Sequence, residues 1–131
     1  MREIKFRAWH KVNKVMCDVY RIYFSTNGVA TMAYNKSFGE DGGNIDDYEL
    51  MQYTGLKDCK GNEIYEGDIV KFFNLSNTFE VIYRKGCWGY NVPFDYISLG
   101  MNYHFQWKDG KSDRIEIISN RWENPELLEG Q

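Results

Sequence analysis

The chain has 131 residues and a formal net charge of -3. That length lets one domain bury roughly two thirds of its unfolded surface without disulfide or metal staples, and the acidic balance excludes a surface that attracts nucleic acid as a whole, since such affinity comes from neutralising phosphates with Lys and Arg. Cys17, Cys59 and Cys87 form an odd set with no C-x-x-C spacing, which fits neither a disulfide framework nor a zinc knuckle; with no signal-peptide apolar region and no apolar run of about 18 residues, a cytoplasmic protein with reduced thiols and no membrane span is expected.

Apolar residues make up 43% of the chain and aromatic residues 17%, so a few large rings must supply much of the buried area, and the Gly-punctuated, Pro-poor composition leans towards β structure. Ile4, Phe6 and Ala8 alternate with Lys5, Arg7 and Trp9, which predicts a strand over 2–9 with one buried face. His10 to Lys14 is a polar turn. Val15 to Tyr20 reads as a second strand and Arg21 to Phe24 as a third segment, leading to Asn27-Gly28, whose left-handed tolerance predicts a type I′ hairpin turn before a strand over Val29 to Tyr34.

Residues 35–47 are rich in Gly, Asn and acids, with only Phe38 and Ile45 as large apolar groups, and read as a surface loop at a subdomain boundary. Charge is uneven around it. Arg2, Lys5, Arg7, Lys11 and Lys14 face Glu3 alone near the start, whereas Glu40, Asp41, Asp46, Asp47 and Glu49 have no base among them, a pattern that could steer a partner or a second copy.

Tyr48 to Tyr53 resumes ordered structure, and Thr54 to Glu63 turns at Gly55 and at Gly61-Asn62. From Gly67 the pattern is that of a small barrel: Asp68 to Phe73, Phe79 to Arg84 with Phe79, Val81 and Tyr83 on one face, and Tyr90 to Val92. Tyr103, Phe105 and Trp107 alternate with His104, Gln106 and Lys108, then Asp109-Gly110 turns the chain towards a strand over Arg114 to Ile118. The helix signal is terminal. Asn124 can cap, Pro125 suits the first helical position, Glu126 complements the dipole and Gly130 can stop the turn, giving at most a turn or two over Asn124 to Glu129, pinned by Leu127 and Leu128.

Met1 to Trp9, Tyr48 to Asp58, Glu63 to Val70 and Glu123 to Leu128, in that order, resemble the YopX family, which is carried by bacteriophages and prophages. The resemblance implies a mainly β fold with a part similar to an SH3-like barrel around Gly67 to Val70. It implies a phage accessory protein, and it brings no activity, cofactor or catalytic residue to carry over. The chain departs from the family at His10, where an acid commonly follows the tryptophan, and at Cys59. One YopX-like domain over 1–131 is expected, with an N-terminal antiparallel β region at 1–50, an SH3-like barrel region at 51–131, and a short C-terminal helical turn.

The acids Asp58, Glu63, Glu66 and Asp68 have the chemistry to hold Mg²⁺ for phosphodiester cleavage, but they sit beside Gly55, Gly61 and Gly67, where carboxylates cap turns and face solvent. No metal, cofactor or catalytic residue is expected. His10 and His104 have no nucleophile at a recognisable spacing. Cys87 lies near Arg84 and Lys85, which favour thiolate, but that setting alone makes no catalyst, and the residue reads as a loop cysteine beside a tryptophan, Trp88, that covers the barrel mouth. Arg84, Lys85, Trp88, Tyr90 and Trp107, with Tyr103, could form a stacking platform for single-stranded nucleic acid; the same rings recur at strand spacing, where core packing is the commoner reason. The leading expectation is a non-catalytic module that binds a host or phage protein or associates with itself through strand edges and ring-rich surface.

Overall fold

The structure, a computed structural model, describes residues 3–35, 43–72, 78–84, 87–92, 95–99, 107–108, 110–112 and 114–128. The chain divides into two compact units, Glu3–Gln52 and Tyr53–Gln131.

In the first unit, β1 (Phe6–His10), β2 (Val15–Phe24), β3 (Ala30–Asn35), β4 (Gly43–Asn44) and the first half of β5 (Tyr48–Lys57) pair antiparallel in the order β5-β1-β2-β3-β4, with a 3₁₀ turn at Ile45–Asp47. Alternation sets the register: Ala8 lies opposite Cys17 on one side and Leu50 on the other. Those residues, with Tyr48 and Val19, form the small core. Trp9 departs from the one-faced strand expected, because its neighbour Ala8 is also buried. Both faces of β1 are therefore covered at this point.

The two hairpin turns depend on left-handed backbone. Lys14 (φ 54°) closes the first, its amide donating to the His10 carbonyl at 2.8 Å. In the second, Gly28 is left-handed (φ 79°) and Asn27 is not, so the turn is not type I′. The Gly28 amide donates to the Ser25 carbonyl at 2.9 Å and the Ser25 amide to the Val29 carbonyl at 2.8 Å, the pattern of a longer loop closed by a glycine bulge. Arg21–Phe24 continues β2 rather than forming a separate segment, with register shifts at Val19/Arg21 and Tyr23/Phe24.

In the second unit, the remainder of β5 pairs with β6 (Glu63–Tyr65). β7 (Asp68–Phe72) and β8 (Thr78–Glu80) belong to one three-stranded sheet, completed by β14 (Ile115–Asn120). A second contains β9 (Ile82–Arg84), β10 (Cys87–Val92) and β11 (Asp95–Ser98); β12 (Trp107–Lys108) and β13 (Lys111–Ser112) follow, β13 running parallel to the end of β5. Where an SH3-like barrel is expected, the described strands thus form open sheets around one core of Ile64, Val70, Phe72, Val81, Tyr90, Leu99 and Ile115.

Val81 interrupts the strand expected over Phe79 to Arg84. Its amide donates to Asp68 at 2.9 Å and its carbonyl accepts from Gly67 at 2.8 Å. Val81 therefore enters the core while Tyr83, expected on the same face, is 57% exposed. The expected C-terminal turn is a 3₁₀ turn at Pro125–Leu128, tied down by Thr78 Oγ1 donating to the Leu127 carbonyl at 2.7 Å. Asn120 Oδ1 accepts from the amides of Trp122 and Glu123 just before it, and Ser119 Oγ bonds Asn124 Oδ1. Tyr103, His104, Phe105 and Gly130 lie outside the described residues.

Candidate functional site

The segment from Gln52 to Val70 is the densest in sequence motifs, and its polar side chains bind backbone. Thr54 Oγ1 donates to the Ile64 carbonyl at 2.7 Å and accepts from the Leu56 amide at 3.1 Å, pinning β5 to β6 on either side of left-handed Gly55. Asp58 Oδ1 accepts from the amides of Lys60 and Asn62 at 3.0 and 2.9 Å, and Oδ2 from the Ile117 amide at 3.0 Å. Asp68 Oδ2 accepts from the Tyr65 amide at 2.7 Å.

Turn capping by these acids agrees with the sequence reading, but solvent exposure does not: Asp58 is fully buried and Asp68 nearly so. Burying a carboxylate is costly unless donors surround it, and the backbone supplies them. The Asp58 oxygens that would ligate a cation already serve amide hydrogens. What this arrangement does chemically is hold loops; Glu63 and Glu66 stand on the same frame, half-buried.

The residues considered for nucleic-acid stacking are dispersed. Arg84 is exposed, with Nη1 donating to Asn91 Oδ1 at 2.8 Å. Trp88 is half-buried and opposite Tyr83 across the β9–β10 pair, the rings edge-on at 4.8 Å. Tyr90 is in the core, its centroid 5.2 Å from Phe72 and 4.6 Å from Phe79. Trp107 pairs its backbone with Ser112, and Lys85 and Tyr103 are outside the described residues. The hairpin thus sets Trp88 against Tyr83, which the motif search missed because alternation placed it inside, while Arg84 lies opposite Cys87 on the other face of the pair.

Burial pushes the Tyr90 phenol up from 10.0 to about 12. The folded protein keeps this proton at a pH where the unfolded chain has released it, so the contribution is complete below about pH 10 and is lost as pH rises towards 12. Urea midpoints measured across that window should fall for the native chain and fall less for Tyr90→Phe.

The other candidates are local. His10 Nδ1 accepts from the Asn13 amide at 3.0 Å and the ring packs edge-on against Tyr48 at 4.8 Å, so this histidine closes a turn. Cys87 Sγ donates to the Arg84 carbonyl at 3.5 Å, and Cys87 begins a strand rather than lying in a loop. All three cysteines are free; burial raises the Cys17 thiol, with Asp18 adding to it, and burial raises Cys59, with Asp58 and Glu116 adding to it. The basic start and the acidic segment meet within the first unit: Lys11 Nζ lies 3.3 Å from Glu49 Oε1 and donates to the Asp46 carbonyl at 3.0 Å.

The surface that sequence reasoning did not single out is the far end of the β2–β3 hairpin. Phe24 and Val29 are each 62% exposed, and Tyr20 and Tyr23 are exposed beside them. The signal was present: from Tyr20 to Phe24 four of five side chains are large and apolar or aromatic, with no polar alternation. That pattern predicts burial on both faces, and here the rings face outwards instead.

A family model described as YopX protein matches residues 5–129. The chain belongs to the YopX family. Among solved structures, the crystal structure of protein EF1440 from Enterococcus faecalis is similar to this YopX chain at 27% identity and a TM-score of 0.67, covering 98% of this chain and 100% of that chain. Comparison with curated proteins found no match. The YopX-like stretch Tyr48 to Val70 contains Thr54, Gly55, Asp58 and Asp68, the residues that fasten turns. Those motif residues serve the fold, and the exposed hairpin is a separate feature.

Proposed function

We propose that this YopX chain is a non-catalytic protein-interaction module of a bacteriophage or prophage, working in the bacterial cytoplasm. The observation that carries the reading is the exposed hairpin end, Tyr20, Tyr23, Phe24 and Val29. Several large apolar and aromatic side chains exposed at one end of a hairpin suit cover by a partner, and Tyr and Phe are enriched at protein interfaces. Family membership supports the phage setting. Free thiols support a reducing compartment, and no helix among the described residues is long and apolar enough to cross a membrane.

The test uses the full tagged chain as bait in host and phage-infected lysates, beside a Phe24→Ser, Val29→Ser variant. A stoichiometric protein, another copy included, should be held by the native chain and lost by the variant at an unchanged melting temperature. Equal recovery by both ends the reading.

A second reading is favoured by one observation, the exposed Tyr83 against Trp88 next to Arg84 on the β9–β10 hairpin. Such a pair can stack an unpaired base. Fluorescence anisotropy with single-stranded oligonucleotides at low salt should then show binding that Tyr83→Ala with Arg84→Glu removes; no titratable signal retires it.

A further inference from the structure

We propose that Asn27 is a self-modifying site: the Gly28 amide nitrogen attacks the Asn27 side-chain carbonyl carbon, and hydrolysis of the resulting ring leaves a new carboxylate at the end of the β2–β3 hairpin. Asn27-Gly28 is the one Asn-Gly pair in the chain. Ring closure needs the following nitrogen to reach the side-chain carbon, and glycine, with no Cβ, obstructs that approach least. Both residues are exposed, and a Cβ placed on Gly28 would meet nothing within 4 Å.

The fold sets Asn27 apart from other described asparagines. Asn91 lies inside β10 with Oδ1 bound to Arg84 and β-branched Val92 after it. Asn120 Oδ1 holds the Trp122 and Glu123 amides, and Asn124 precedes Pro125, which has no N–H to give up. Asn27 instead stands between strands, after β2 ends at Phe24 and before β3 begins at Ala30. The Gly28 N–H is held by the Ser25 carbonyl at 2.9 Å. Ring closure therefore waits on the opening of a short exposed loop, and such tips open at the smallest free-energy cost in a fold.

The chemistry needs only water. A bond forms between the Gly28 nitrogen and Asn27 Cγ, the Cγ–Nδ2 bond breaks, and ammonia leaves with the Gly28 proton, giving a five-membered succinimide. Water then opens the ring, at Cγ to give aspartate or at the Asn27 main-chain carbonyl to give isoaspartate, whose backbone runs through the former side chain. Either product carries a carboxylate where a neutral amide stood. Between Val19 and Asn35 the only charged side chain is Arg21, so the new charge changes the hairpin end more than most surface charges would. It arises two positions from Val29 and three from Phe24, both 62% exposed. A carboxylate must stay hydrated, which opposes burial of the apolar side chains beside it. Asn27 thus acts as a timer that withdraws the hairpin end from a protein partner, a consequence that rests on the interaction reading above.

Incubating the full chain for several weeks at neutral and at mildly alkaline pH, followed by peptide mass spectrometry, tests the site. The peptide holding Asn27 should gain about 1 Da, as expected when an amide becomes an acid. The rate should rise with pH, because the attacking nitrogen must lose its proton, and rise again in urea, which opens the loop. Hydroxylamine, which cleaves the succinimide, should cut the chain after Asn27. Asn27→Gln, which would need a larger ring, should slow the gain roughly tenfold or more. No gain at residue 27 in native buffer, or a gain no faster than at other asparagines, overturns the inference. Asn27→Asp supplies the product directly: it should elute earlier from a hydrophobic-interaction column and hold the lysate protein roughly tenfold less tightly or weaker still, at an unchanged melting temperature. If Asn27→Asp captures that protein as the native chain does while Phe24→Ser with Val29→Ser loses it, the timer is overturned and the interaction reading stands. If neither variant loses it, the interaction reading falls with the timer, and the mass gain alone decides the modification site.

Discussion

Replacing Asp58 by Ala is expected to destabilise the chain by about 3–5 kcal/mol, because three backbone amides lose a charged acceptor inside the protein. Each orphaned donor costs about 1–3 kcal/mol when water cannot replace the carboxylate, and Asp58 is 0% exposed. Overlap between the three makes the sum smaller than the parts. Asp58→Asn keeps one acceptor oxygen and should lose roughly half as much. Against a domain stability of about 5–15 kcal/mol, Asp58→Ala should unfold at a much lower urea concentration. A loss below about 0.5 kcal/mol, the size of an ordinary surface substitution, would show that the carboxylate is not holding the turn. A metal-binding role predicts the opposite: removing a repulsive buried acid from an empty site would raise stability.

Tyr90→Ala is expected to cost about 3–5 kcal/mol, the usual penalty for deleting a large ring from a packed core. The ring sits within 5.2 Å of Phe72 and 4.6 Å of Phe79, and Phe72 and Phe79 lie 5.4 Å apart, so the three form a closed aromatic triangle. Truncation opens a cavity that two rigid neighbours cannot fill. Chemical denaturation measures the loss. If the protein instead keeps its stability and loses affinity for oligonucleotides, Tyr90 is a surface ring and the core is misassigned.

The contrast between Tyr90 and Tyr83 shows how far the sequence could be read. Strand periodicity located β1, β2, β7 and β14, and Gly61 and Gly67 marked turns that need left-handed backbone, at φ 84° and 88°. The turn expected at Gly55 is instead a left-handed position (φ 87°) inside β5, where the pairing with β6 shifts register. The mainly β class followed from those signals. Local pattern failed where a distant segment decides the outcome. Tyr83 left the face of Phe79 because Val81 is captured by the Gly67–Asp68 backbone. Asp58 is buried because Ile117, 59 positions away, delivers its amide, and no spacing rule reaches that distance. β6 and β11 were not foreseen because three and four residues are too few to show a period. The hairpin end was not singled out for the reverse reason, since its apolar run carries the signature of burial while its rings are exposed.

The dual membership of β5 bears on how this gene can be cut and exchanged. Residues before Tyr53 pair with β1, and those from Tyr53 onward pair with β6, so the boundary between the compact units falls inside a continuous ten-residue strand. A break at that junction leaves each half of the strand with its own ladder partner, β1 on one side and β6 with β13 on the other, and removes only the covalent continuity. Recombination between relatives is therefore predicted to tolerate crossovers at Gln52/Tyr53 better than within either half of Tyr48–Lys57.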